Sequence, residues 1–184
     1  MGAQTAAMAT TGTTDSRQQF HALLEQHRKI VFKVANTYSR LPEDRADLAQ
    51  EIAAQLWRAF PDYDPARTFS TWMYRIALNV AISFLRSHQR DPQTESLDDD
   101  HAQIAGANGG IEETDERVRA LEHFIAQLEP LNRALLLLYL EERSYREIAD
   151  ILGISETNVA TKISRLKQRI RQDMAPTDSQ HDKD

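Results

Sequence analysis

The side chains with the most capacity for recognition lie near the C-terminus. From Val159 to Arg171 the chain carries five cations (Lys162, Arg165, Lys167, Arg169 and Arg171) and no carboxylate. Asn158, Thr161 and Ser164 are interleaved with them, and Ser155 and Thr157 stand just ahead. Amide and hydroxyl groups of this kind reach base edges, while cations neutralise phosphates. Val159, Ile163, Leu166 and Ile170 recur at spacings of three and four, so one face of a helix is apolar and the other basic and polar. A merely solvated face of a helical hairpin usually mixes both signs, and this one does not. The chemistry indicated is contact with duplex DNA.

A second group follows the proline-bounded segment 61–68. Phe69, Trp72, Tyr74 and Arg75 sit close together there, with Tyr63, Arg67 and Thr68 just before them and Asn79 and Arg86 further on. Cations beside aromatic rings suit single-stranded DNA, because unstacked bases lie on the rings at about 1–3 kcal/mol each. Phe69 and Trp72 suit a hydrophobic core equally well, and Tyr63 and Tyr74 are open to both readings. The six histidines show no ligand spacing, and no nucleophile motif, phosphate loop or metal-binding acidic loop is present. Asp98, Asp99 and Asp100 read as a solvated charge run. The chain therefore reads as a binding protein, not an enzyme, with no catalytic residue, metal, cofactor or small-molecule substrate.

These groups need helices to hold them. Residues 144–171 read as a helix-turn-helix. Ile148, Ala149, Ile151 and Leu152 with Tyr145 make the first apolar face, Gly153 breaks the helix, and Ser155 caps the second. Upstream, a helix buries Val118, Leu121, Phe124 and Ile125 from about Glu116 to Leu128, and Pro130 opens the next. The run from Ala134 to Leu140 is apolar nearly all round and should form the core of this part. In the N-terminal part, a helix from about Arg17 carries Phe20, Leu23, Leu24, Ile30, Val31, Val34 and Tyr38 inward. The next starts near Glu43 with Leu48, Ile52, Leu56 and Phe60 inward and Asp47, Gln50, Glu51 and Gln55 outward. A third begins around Phe69, with Thr68 or Ser70 as cap, and runs to about Gln89. No strand pattern appears. The expected fold is all-α: a disordered tail (1–16), a first helical domain (17–90), a flexible acidic linker (91–115), a second helical domain (116–172) and a tail (173–184).

The net charge of −6 looks wrong for a DNA binder, but its distribution is uneven. Residues 91–116 hold nine carboxylates and no cation through Glu116; removing these nine from the 28 leaves 19 acidic against 22 basic residues. Weak DNA binding by the free chain follows, since non-specific affinity rests on phosphate neutralisation. The absence of cysteine suits a reducing cytoplasm. The N-terminus lacks a signal-peptide pattern, and no stretch is long and apolar enough to span a membrane.

Three ordered motifs carry a resemblance. Asp47-Leu48-Ala49-Gln50-Glu51-Ile52 with Trp57 resembles region 2.2 of bacterial sigma factors. Phe69-Ser70-Thr71-Trp72-Met73-Tyr74-Arg75-Ile76-Ala77-Leu78-Asn79 resembles regions 2.3 and 2.4. Leu128-Glu129-Pro130, Arg133 and the segment from Ser144 onward are similar to region 4. Order, linker and length match the extracytoplasmic-function (ECF) group of the sigma-seventy family. The resemblance implies binding to core RNA polymerase and direction to promoters. Asp47, Leu48, Gln50, Glu51 and Gln55 would dock on the clamp helices of the largest subunit, with the flap region as a further contact. The 61–68 loop would capture a flipped base of the −10 element, with Tyr63, Arg67, Thr68, Phe69, Trp72, Arg75, Asn79 and Arg86 binding and melting DNA. Ser155, Thr157, Asn158, Thr161, Lys162, Arg165, Lys167 and Arg169 would read the −35 duplex. An anti-sigma factor, often membrane-bound, is a further implied partner of this cytoplasmic protein. Ser83 stands where many relatives have Asp, and Ala160 where relatives often have Arg. The alternatives are a helix-turn-helix regulator binding an operator as a dimer, and a protein-interaction module.

Overall fold

The computed structural model describes residues 5–88 and 112–173. The chain divides into two units, Met1–Ser87 and His88–Asp184. Every regular element among the described residues is helical. The acidic linker expected at 91–115 lies mostly outside the described residues, as does the tail beyond residue 173.

The first unit is built from α1 (Thr5–Tyr38), α2 (Pro42–Ala59), a single 3-10 turn (Phe60–Asp62) and α3 (Phe69–His88). Helix α1 begins at Thr5, ahead of the expected start near Arg17. Ala6, Ala7 and Ala9 are strong helix formers, and extending a helix that packing has nucleated avoids the nucleation cost. Pro42 opens α2 at the first helical position, where its missing N–H costs nothing. Val34, Leu48, Ile52, Leu56, Met73 and Leu78 are fully or almost fully buried and form the core. Each such side chain contributes about 1.5–3 kcal/mol of transfer free energy. Tyr74 is 1% exposed and belongs to this core, so its alternative reading as a DNA contact is set aside.

The second unit contains α4 (Glu112–Gln127), α5 (Pro130–Leu140), α6 (Tyr145–Leu152) and α7 (Glu156–Asp173). Helix α4 starts four residues before the expected Glu116; a sequence as acidic as residues 112–116 favours a helix N-terminus over a linker, because carboxylates complement the helix dipole there. Val118, expected inside, is 48% exposed; Phe124 and Leu128 carry the burial instead. Helix α5 is the centre of the unit, with Ala134, Leu135, Leu136 and Leu138 buried, while Leu140 at its end is exposed. Buried among these apolar groups is Arg133, whose guanidinium donates to the carbonyls of Ala126 (2.6 Å) and Leu128 (3.3 Å). A cation on the last carbonyls of α4 satisfies acceptors that the helix leaves open and complements its dipole.

Candidate nucleic-acid and polymerase interfaces

Helices α6 and α7 are joined by a turn in which each end is capped by named side chains. Ser144 begins α6 with a reciprocal capping box. Its hydroxyl accepts from the Glu147 N–H (3.2 Å), and the Glu147 carboxylate accepts from the Ser144 N–H (2.9 Å). Arg143 adds an ion pair to Glu147 at 3.1 Å. The Ser144 backbone bond, then its hydroxyl, hold the Glu147 carboxyl below its ordinary range, with a smaller contribution from Arg143. Gly153 ends α6 at φ 68°, ψ 34°, donating to the Ala149 carbonyl at 2.8 Å. A Cβ there would meet nothing within 4 Å, so the left-handed backbone alone requires glycine. Ser155 then caps α7, its Oγ accepting from the Asn158 N–H at 3.2 Å.

Val159, Ile163 and Leu166 anchor α7 in the core. Thr157, Asn158, Thr161 and Arg165 are exposed. The Thr161 hydroxyl donates to the Thr157 carbonyl (2.9 Å), so its methyl group and lone pairs remain for a ligand. Lys162, Arg165 and Arg169 line one flank of the helix with Asn132 of α5, around a shallow cleft of about 190 Å³. Two of the expected phosphate contacts also lie against rings of the protein. The Lys167 ammonium lies 4.4 Å from the centre of the Tyr139 ring, and a hydrogen bond to that side chain is the main cause raising its pKa. The Arg169 guanidinium lies 5.4 Å from the centre of the Phe124 ring. Arg133 and the two rings Tyr139 and Phe124, which orient these groups, were not among the expected site residues. Arg133 had a signal in sequence, a lone cation in an apolar helix.

In the first unit, Asp47, Gln50 and Glu51 project from α2 into solvent, and Gln55 is half-buried. Gln55 donates to Glu51 at 2.8 Å, and Arg58 lies 3.8 Å from the same carboxylate. Leu48, at 0% exposure, fixes α2 in the core, because its position on the helix faces inward with Ile52 and Leu56.

Six aromatic residues of the first unit form one connected cluster. Phe20 of α1 lies 5.1 Å from both Trp57 and Phe60, and Phe60 stacks on Tyr63 at 6.0 Å. Tyr63, Phe69 and Trp72 contact one another at 5.0–5.3 Å, and His27 reaches Phe69 at 5.4 Å. Phe69, 6% exposed, packs as a core ring, since the first turn of α3 points it back at α1. Trp72 is half-buried at the edge of the cluster. Arg75, Asn79, Ser83 and Arg86 are exposed and repeat at three- and four-residue spacing, one stripe along α3. Arg67 and Thr68 are exposed just before it, and the Thr68 carbonyl accepts from the Thr71 and Trp72 N–H groups to start the helix.

Comparison with known proteins gives these two surfaces their class. Residues 23–91 match the family described as Sigma-70 region 2, and residues 118–170 match Sigma-70, region 4. The chain is 30% identical over 156 residues to the ECF RNA polymerase sigma-E factor of Escherichia coli, covering 78% of this chain and 82% of the relative. It is 29% identical over 180 residues to the ECF RNA polymerase sigma factor SigE of Mycolicibacterium smegmatis, covering 96% of this chain and 69% of the relative. Among solved structures, CnrH in complex with the cytosolic domain of CnrY is similar at a TM-score of 0.61 and 20% identity, over 90% of this chain and 94% of that one. The sigma factor RpoE bound to the anti-sigma factor NepR from Bartonella quintana is similar at 0.63 and 19%, over 89% and 98%. At these identities the structural likeness shows the fold.

The chain belongs to the ECF sigma factors of the sigma-70 family. It is an RNA polymerase sigma factor, which joins core polymerase and directs it to promoters.

Proposed function

We propose that the two units divide the work of promoter recognition between single-stranded and duplex DNA. The exposed stripe Arg75, Asn79 and Arg86 on α3, with Arg67, Thr68 and the edge of Trp72, holds the separated strands of the −10 element. The loop between α2 and α3 captures a flipped base. The exposed α7 residues Thr157, Asn158, Thr161 and Arg165 enter the major groove of the −35 duplex, flanked by Lys162 and Arg169. Asp47, Gln50 and Glu51 on α2 dock on core polymerase at the clamp helices of the largest subunit, and the second unit meets the flap region. The chain performs no bond chemistry itself; polymerase does. The observation that carries this reading is α7: a capped helix after a left-handed glycine turn, apolar inward and cationic or neutral outward from residue 159 to residue 171.

One similar solved structure holds the sigma factor RpoE with the anti-sigma factor NepR, and another holds CnrH with the cytosolic domain of CnrY; the first supports an anti-sigma factor as a partner here. No helix among the described residues is long and apolar enough to cross a membrane. The reading places the protein in the cytoplasm, held at the membrane when its inhibitor is membrane-bound. The test is a paired affinity measurement on purified components. Arg165→Ala weakens holoenzyme binding to −35 duplex and lowers the log–log salt slope by about one, with core affinity retained. Asp47→Ala weakens core binding and leaves promoter preference unchanged. Wild-type affinities in both variants would remove these assignments.

A further inference from the structure

The segment between α2 and α3 is short, exposed and internally tied. The Tyr63 hydroxyl donates to the Arg67 carbonyl at 2.7 Å. The Arg67 N–H donates to the Asp64 carbonyl at 2.9 Å, and Asp64 Oδ1 accepts from the Ala66 N–H at 2.9 Å. The Tyr63 N–H is fixed on the Phe60 carbonyl at 3.0 Å. Meanwhile the Tyr63 ring is engaged on three sides, stacked on Phe60 and in contact with Phe69 and Trp72. A base stacking on Tyr63 would compete with these neighbours for the ring. The residues left exposed at the tip are Asp64, Pro65, Ala66, Arg67 and Thr68.

We propose that Tyr63 and Asp64 are positioning residues: they latch residues 64–67 into a single turn before DNA arrives, so that the base meets a preformed loop. The inference rests on the base-capture reading of this loop. Ordering a loose loop at the moment of capture would cost conformational entropy at each residue fixed. A loop competent for only part of the time binds more weakly in proportion to that fraction. The latch moves this ordering into folding. Tyr63 thereby acts through the Arg67 backbone, and its hydroxyl, not its ring face, is the part that matters for DNA.

The test uses holoenzyme assembled from the full chain and core RNA polymerase. The probe is a single-stranded oligonucleotide selected from a random pool by the wild-type holoenzyme, together with versions made abasic at each position in turn. Tyr63→Phe keeps the ring and removes only the hydroxyl. Loss of one hydrogen bond predicts an affinity for the base-bearing strand reduced about three- to tenfold, with affinity for the strand abasic at the captured position unchanged. Asp64→Ala behaves the same way, and Asp64→Asn, which keeps the Oδ1 acceptor, stays within about twofold of wild type. Faster hydrogen exchange at the Ala66 and Arg67 amides of the free variants accompanies the loss, while core affinity and melting temperature report intact folding. Undiminished binding by Tyr63→Phe overturns the latch and makes Tyr63 a stacking platform. Asp64→Asn falling as far as Asp64→Ala assigns Asp64 a role through charge and also overturns it. If no abasic position weakens wild-type binding, base capture itself fails, and the latch with it.

Discussion

Lys167 shows how the members of a run of cations come to differ in the fold. In sequence it is equivalent to Arg165, both within the carboxylate-free run 159–171. In the fold, Lys167 lies over Tyr139 and is half-buried, whereas Arg165 is exposed. Helical periodicity tells which residues leave the core, but not which neighbouring ring a long side chain then covers, because that ring comes from another helix. Lys167→Ala is therefore expected to lower the melting temperature of the second unit and to change the salt slope less than Arg165→Ala does; salt titrations of the two variants side by side check this. Gly153 was legible from sequence because its role is purely local. With open space around its Cβ position, Gly153→Ala meets only the left-handed backbone penalty, about 1–2 kcal/mol. Urea unfolding should show that loss, together with weaker −35 binding. The buried Leu48 and Phe69 mark the opposite case. Their motif places them beside functional residues, and only packing separates the inward group from the outward one.

Helices α2, α3, α5, α6 and α7 begin within a residue or two of where caps, prolines and glycine put them, since each start has a local cause: Pro42, Thr68, Pro130, Ser144 and Ser155. The starts of α1 and α4 were missed for a shared reason. Both run into segments whose composition signals a tail or a linker, while the helix propagates outward from a packed stretch further along. Helix α6 offers a test of local capping. Ser144→Ala removes the cap hydroxyl and is expected to cost about 1 kcal/mol. The Glu147 half of the same box depends on pH. Its carboxyl is held below the ordinary value of 4.5 in the folded chain, so its stabilisation is complete above that value and is lost as pH falls through the lowered folded pKa. Glu147→Gln should accordingly melt below wild type at pH 7, and the gap should close as pH falls below the ordinary value; melting curves across that range would show a constant gap if the carboxylate were not the cause.

Two helical units, each with its own core, fit a protein that must hold separated strands with one surface and duplex with another. The overall acidity is compatible with that task when a partner supplies part of the affinity: −6 for the chain opposes DNA, while α7 carries five cations and α3 carries Arg75 and Arg86 with no carboxylate. The free chain is expected to bind promoter duplex weakly, and core polymerase to raise that affinity strongly; filter binding with and without core at fixed salt checks it. The rival regulator reading predicts the reverse, tight binding alone and indifference to core. The most direct measurement is run-off transcription by purified core RNA polymerase on a library of short promoter fragments, with and without this protein. A sigma factor produces new, discrete start sites that require the chain and share upstream −10 and −35 sequences. Transcripts identical with and without it, from core shown to be active with another sigma factor, would contradict the account.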